Sequence, residues 1–325
     1  MKIYPVKFKP IPQERIWGGH QLKEWFGVKD KHPIGEYWVL SGHPHGLSVV
    51  SDGPLVGKTL QELIDMAPEA YLGQSPQPRF PLLIKFLEAT SDLSVQIHPD
   101  DTYAQRVEGD YGKTEAWYIL HTKPDGKVIY GHTFPDREAY FQAIREQQVH
   151  KYLNYKPIKK GDVVFVPSRT LHALLGGTIV LEIQQTSDIT YRVYDWDRVD
   201  EQGRGRTLHV DKAADVMQYG QDVHRESGQV EIKTVFVDER ITHHRLVSCS
   251  YFTMEKIELT AGEYTLTTGK TSNPDILIVV DGEGNLETGD MTMPLKRTDT
   301  VLVPAQLSAY RLKTTKRFTL IRAFY

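Results

Sequence analysis

Two side chains with lone pairs to give, Gln96 and His98, stand two positions apart in the run "LSVQIHPDD" from Leu93 to Asp101. Successive strand residues point to opposite faces. Ser94, Gln96 and His98 therefore share a polar face, Leu93, Val95 and Ile97 share an apolar one, and Pro99 stops the strand. Two ligands for one ion need this spacing. A carboxylate follows in "GKTEAWYIL", where Glu115 opens the strand 116–120. A second imidazole follows in "GDVVFVPSRTLHAL", where a tight turn delivers His172, five residues after Pro167, onto a returning strand. Gln96, His98, Glu115 and His172 form a mixed nitrogen and oxygen set without a thiolate. Such a set suits a borderline divalent ion such as Zn²⁺, one per chain, with room for water or substrate.

Cations surround these donors. Lys113 lies two residues before Glu115, on the same side of the chain. Arg192 sits between Tyr191 and Tyr194 in a stretch that also holds Asp188, Asp195 and Asp197. A guanidinium paired and held there can bind an oxyanion or a phosphate, or it can belong to a structural salt-bridge cluster. Lys85 interrupts the apolar run "FPLLIKFLEA" and either snorkels at an edge or faces the same cavity. The two "GKT" words are not phosphate-binding loops, because Asp52 and Val107 stand where the required glycine belongs. His43 and His45 in "SGHPHG" have metal-like spacing but no nearby carboxylate in sequence, and they read as a surface turn.

The elements that must position these residues are mostly strands. Short runs rich in Val, Ile, Leu and Phe, such as "EYWVLSG", "LSVVSDG", "KVIYGH" and "GTIVLEIQQ", alternate with turn residues, which predicts a β-sandwich or barrel. Helical spacing interrupts them at 57–73 and 136–153. A polar stretch at 215–227 precedes new strands, so a boundary is expected near residue 235, dividing the chain into 1–235 and 236–325. "PIKKGDVVFVPSRTLHAL" from Pro157 aligns without gaps on "PLKRTDTVLVPAQLSAYRL" from Pro294, placing Ala309 opposite His172. The halves are expected to share one strand-turn-strand unit, with the metal ligand lost from the second.

Composition narrows the function. A chain of 325 residues with a net charge of −3 has no basic excess to attract nucleic acid or an anionic membrane. No run reaches the roughly 18 apolar residues of a membrane span. One cysteine, Cys249, allows no internal disulfide, and a cytoplasmic location is expected. The sequence specifies no oligomeric state.

Together, "WGG" at Trp17, "FPLLIKFLEA", "LSVQIHPDD", "GKTEAWYIL", "VPSRTLHA", "LEIQQTSDITYRVYDWDR" and "RTLHVDKA" resemble the type I mannose-6-phosphate isomerases, short bacterial branch, of the cupin superfamily. The resemblance spans about Trp17 to Lys212. It implies two cupin-type jelly-roll β-barrels with a few inserted helices, the second, 236–325, lacking metal ligands. It implies zinc on Gln96, His98, Glu115 and His172, catalytic roles for Arg192 and Lys113, and substrate contacts at Lys85 and Ser94, with Lys85 and Lys113 lining a sugar phosphate pocket. The implied reaction interconverts mannose 6-phosphate and fructose 6-phosphate by proton transfer through an enediol or enediolate. A cupin dioxygenase, with a more histidine-rich set on a redox metal, and a non-catalytic cupin sugar-binding protein are the alternatives. One departure is Arg169, where the cupin pattern has a glycine that eases the turn before His172.

Overall fold

The computed structural model describes residues 3–29, 31–200, 202–220, 230–269, 272–289 and 291–325. Among them the chain is mostly β, in three antiparallel sheets with short helices between strands. A six-stranded sheet runs in the order Ile11–Gly19, Ile34–Ser41, Leu82–Ala89, Thr178–Gln185, Glu115–Thr122, Val163–Val166. Strand alternation sorts its two faces. Ile84, Phe86, Ala116, Tyr118, Ile179, Leu181 and Ile183 enter one apolar cluster, which continues into the C-terminal half through Met254, Ile276, Ile278, Leu302 and Ile321. That face joins the halves. Leu87, Ala89, Trp117, Ile119 and Val180 enter another cluster together with Val128, Tyr130 and Leu174 from a five-stranded sheet.

The five-stranded sheet, in the order Tyr191–Tyr194, Val95–Ile97, His172–Leu174, Lys127–His132, Leu153–Pro157, therefore faces the first across a shared interior. Its outer face, with Val95, Ile97, Ala173, Tyr191 and Val193, is covered by the helices Arg137–Arg145 and Val210–Val216. Burial of each large side chain there contributes roughly 1.5–3 kcal/mol. The two sheets face each other in jelly-roll fashion without closing into one continuous hydrogen-bonded barrel.

The C-terminal sheet also takes in the N-terminal strand Val6–Lys7, which pairs with Thr300–Val303. Residue 235 falls inside the strand Lys233–Val237, which pairs with Ile241–Ser248. Of the polar stretch preceding it, residues 221–229 lie outside the described residues. The helical spacing at 57–73 forms Leu60–Met66, closed at its start by a Thr59–Glu62 capping box, and Pro68–Tyr71. The spacing at 136–153 is split by Gln147, whose φ of 55° ends Arg137–Arg145 before the 3₁₀ turn Val149–Tyr152. "LSVVSDG" makes only isolated bridges, Phe8 to Val50 and Val49 to Thr59. Among the described residues no helix is long and apolar enough to cross a membrane.

Candidate metal centre

The interior between the two sheets receives every second side chain from each, and there the charged residues meet. On the five-stranded sheet, Arg192, Gln96, His172 and Tyr130 are direct cross-strand neighbours. On the six-stranded sheet, Trp38, Lys85, Glu182 and Trp117 form a second row, with Glu115 paired opposite Gln184. His172 Nε2 lies 3.2 Å from Glu115 Oε1, and His98 Nε2 lies 3.5 Å from Glu115 Oε2. His98, Glu115 and His172 are all buried, and their donor atoms fall within 4.8 Å of one another. Residues 17 to 74 positions apart in sequence thus converge because two sheets face each other.

The tautomers follow from the partners. His98 Nδ1 is 2.8 Å from the Ile189 carbonyl and His172 Nδ1 is 2.8 Å from the Thr170 carbonyl. A carbonyl only accepts, so each Nδ1 carries a proton and each ring turns its Nε2 toward Glu115. Burial, then Lys113, pushes the His98 imidazole down to about 3, so it is neutral. Gln96 Nε2 is 3.4 Å from His172 Nε2. Turning its terminal amide over offers Oε1 to the same point. Neither buried oxygen of Glu115 has a well-directed hydrogen-bond donor. Lone pairs facing a carboxylate repel unless a cation lies among them, so this donor set fits a divalent ion.

Lys113 partly answers that demand. Its Nζ is 2.8 Å from Glu115 Oε2 and 3.1 Å from His98 Nε2. Burial disfavours its charge, but Glu115 and Glu182 outweigh burial and hold it as an ammonium. Burial likewise raises the Glu115 carboxyl, and Lys113, His172 and His98 together bring it well below the ordinary range. Lys85 does face the interior, but its ammonium is held between Glu36 at 3.7 Å and Glu182 at 3.5 Å, over the Trp38 ring. Trp38 and Trp117 donate their indole N–H groups to those two carboxylates. Glu36 and Glu182 were not singled out in sequence. Their signal resembles that of Lys85: a charge inside an apolar run, in "IGEYWVLS" and "TIVLEIQQ".

Arg192 makes no carboxylate ion pair among the described residues. Its NH1 donates to the Thr207 carbonyl at 2.7 Å, and its buried Nε has no partner. Burial, then Arg206, lowers its guanidinium from the ordinary value. Asp195, by contrast, takes both Arg198 and Arg206. Ser94 is buried immediately before the Gln96 strand. Arg169 adopts the left-handed φ of 70° that the cupin glycine supplies, held by its N–H on the His98 carbonyl at 2.7 Å and by its Nε on the Val216 carbonyl at 2.9 Å. His43 is a correction: it is buried, not a surface turn, with Nε2 3.6 Å from Asp110 and Nδ1 accepting from the His45 N–H. Asp110 and Arg79, brought in from distant sequence, make that burial tolerable.

The C-terminal half repeats the frame with different chemistry. Asp275 pairs with Val303, one residue before Pro304, as Glu115 pairs with Val166, one residue before Pro167. There Arg322 donates to Asp275 at 2.7 and 3.0 Å and to Glu255 at 3.2 Å, and an imidazole, His243, lies with its Nε2 3.0 Å from Glu255. The gapless match of His172 with Ala309 is off by one in space: Ala309 is exposed, and Tyr310 turns inward to donate to Asp275 at 2.8 Å. Period-two alternation, not sequence count, decides which side chain enters.

Facing antiparallel sheets around a buried two-histidine, one-carboxylate cluster define a cupin-type protein with a candidate metal centre. The model of the type I phosphomannose isomerase catalytic domain matches residues 6–123, and that of the mannose-6-phosphate isomerase cupin domain matches residues 242–324. The mannose-6-phosphate isomerase ManA of Bacillus subtilis is 38% identical over 315 residues, covering 96% of this chain and 97% of the relative. A crystal structure of mannose 6-phosphate isomerase from Bacillus subtilis superposes with a TM-score of 0.89 at 39% identity, over 99% of both chains. A zinc-bound mannose 6-phosphate isomerase shares the fold, with a TM-score of 0.77 at 16% identity over 99% of both chains. The chain belongs to the type I mannose-6-phosphate isomerase family of enzymes.

Proposed function

We propose that this chain holds one zinc ion on Gln96, His98, Glu115 and His172 and interconverts mannose 6-phosphate and fructose 6-phosphate by proton transfer through an enediol or enediolate. One observation carries the reading: in a member of this family, two imidazole Nε2 atoms converge on a buried carboxylate that no well-directed donor among the described residues satisfies. A bound divalent ion supplies a fixed positive charge toward the sugar oxygens that become anionic. Arg192, with an unpartnered Nε beside Gln96, meets the same developing charge. Lys113, held charged by Glu115, offers a hydrogen bond and positive charge to a sugar oxygen and does not act as a base toward carbon while that pair is intact.

The charges also divide the site. Around the lysines, Arg15, Lys85 and Lys113 face Glu36, Glu182 and Glu115, which leaves no net charge among these described residues. At the other end, Arg198 and Arg206 share one carboxylate, Asp195, and Arg192 stands near them without an ion pair among the described residues, so these four side chains carry a net charge of +2. The phosphate dianion is therefore assigned to the arginine end. Arg198 donating to the Asp92 carbonyl and Trp196 donating to the Leu93 carbonyl bring that end against Ser94. Lys85 is assigned to neutralising Glu36 and Glu182 in place of a phosphate contact. With a single cysteine, a reducing cytoplasm is the proposed setting.

The test is a coupled assay with mannose 6-phosphate before and after chelation. Turnover should fall on chelation and return with zinc. Turnover indifferent to chelation would remove the metal from the reaction, and zinc-loaded protein without turnover would remove the isomerase assignment.

A further inference from the structure

The segment Gly112 to Glu115 carries both Lys113 and Glu115, and it is clamped from behind. Asp101 Oδ1 accepts from the Gly112 N–H at 2.8 Å and from Gln185 Nε2 at 3.0 Å. Gln185 Oε1 accepts from the Thr114 N–H at 2.8 Å, and the Gln185 N–H donates to the Thr114 carbonyl at 3.1 Å. The fit is close: a Cβ on Gly112 would lie 2.6 Å from the Asp101 nitrogen. Both clamping side chains belong to the N-terminal half. Their outer side does not.

Asp101 and Gln185 line a pocket between the halves together with Tyr251, Asn273 and Tyr325. Tyr251 lies in a turn of the C-terminal half that is closed by the Cys249 N–H donating to the Phe252 carbonyl at 3.0 Å. Its phenol shares that pocket with the Asp101 carboxylate, and burial, then Asp101, pushes the phenol up to about 12, so it stays protonated and able to donate. Hydrogen bonds thus run from Asp101, directly and through Gln185, to the backbone on either side of Lys113, and Tyr251 meets Asp101 in the pocket behind them.

We propose that Tyr251 is a positioning residue for the metal cluster, acting through Asp101 and Gln185 on the Gly112 to Glu115 segment. The C-terminal half then contributes more than apolar surface: it fixes where Glu115 and Lys113 stand. The inference rests on the reading of Glu115 as a metal ligand. Removing an outer partner of a ligand typically lowers metal affinity by about 10- to 100-fold. Tyr251 is one bond further out, so a smaller effect, about 3- to 10-fold, is expected from that scale.

The experiment measures zinc dissociation constants by chelator competition, with kcat, KM and melting temperature, for wild type, Tyr251→Phe, Asp101→Ala, Asp101→Asn and the Tyr251→Phe/Asp101→Ala pair. Tyr251→Phe should weaken zinc binding about 3- to 10-fold and lower kcat more than KM. It should add nothing in the Asp101→Ala background, while Asp101→Asn, which keeps an acceptor oxygen, recovers part of the loss. Three outcomes would overturn the proposal: unchanged zinc affinity in Tyr251→Phe, an equal loss with Asp101 already removed, or a lower melting temperature with zinc affinity intact. Wild-type protein that binds no zinc would instead sink the metal reading itself, before any variant is compared.

Discussion

Glu115→Gln keeps the shape of the side chain and removes one charge, and the structure says what that charge holds. Glu115 is fully buried, and its carboxylate lies 2.8 Å from the Lys113 ammonium, itself only 5% exposed. Glu182 and Asp188 also act on Lys113, but neither makes an ion-pair contact with it among the described residues. Without Glu115 the ammonium is a buried charge lacking its contact partner, which costs about 3–5 kcal/mol. Metal-free Glu115→Gln should therefore unfold at a markedly lower urea concentration than metal-free wild type. Adding Lys113→Met should recover most of that loss, since the stranded ammonium is then gone. Zinc affinity should fall by more than about 100-fold, the upper end of what losing a mere outer partner costs, and Lys113→Met should not restore it. Urea titration of the metal-free proteins and chelator competition measure the two effects separately. Wild-type zinc affinity in Glu115→Gln, or metal-free stability within about 1 kcal/mol of wild type, would refute the assignment of this carboxylate.

Three further outcomes are expected. Arg192→Lys should lose about 2–4 kcal/mol of transition-state stabilisation; a loss in kcat places the group at the reacting oxygens, a loss in KM places it at the phosphate, and unchanged kinetics removes it from the site. Ala309→His should leave zinc stoichiometry by elemental analysis and turnover unchanged, because that position faces solvent and lacks companion donors. Arg322→Met should destabilise the protein by about 3–5 kcal/mol near pH 8 by stranding Asp275, whereas Glu255 keeps Arg245 and His243. That deficit should narrow toward pH 5: burial already raises the Asp275 carboxyl against the pull of Arg322, and a carboxyl raised in the folded state contributes stability at low pH that is lost as pH rises through its folded pKa. Urea midpoints that show no narrowing would refute the buried-charge account.

Much of the candidate site was legible because strand chemistry is local. Alternation in "LSVQIHPDD" put Gln96 and His98 on one face before any partner strand was known, and the structure turns both toward the interior with Val95 and Ile97 outside; Leu93, ahead of the strand Val95–Ile97, joins the inner apolar cluster instead of sharing their face. The same rule marked Lys85 as out of place in an apolar run. It could not say that Glu36 and Glu182 flank it, since those contacts come from neighbouring strands more than 45 residues away in sequence. His43 was misread for a similar reason: its burial depends on Arg79 and Asp110, which no spacing around "SGHPHG" announces.

The echo of Pro157 in Pro294 correctly paired Pro167 with Pro304, as the matching ladders of Glu115 and Asp275 show. It failed one turn later, where Ala309 faces out and Tyr310 faces in. Sequence alone determined which residue types were available, which faces they shared along each strand, and the family resemblance carried by those words. Tertiary structure decided which faces meet: that two sheets enclose Glu115 with two imidazole Nε2 atoms, that Lys85 is neutralised while Arg192 is not, and that Tyr251 reaches back to Asp101. The physical reason is that side-chain direction is a property of a few bonds, whereas charge balance and lone-pair convergence belong to groups that become neighbours only when distant strands pack.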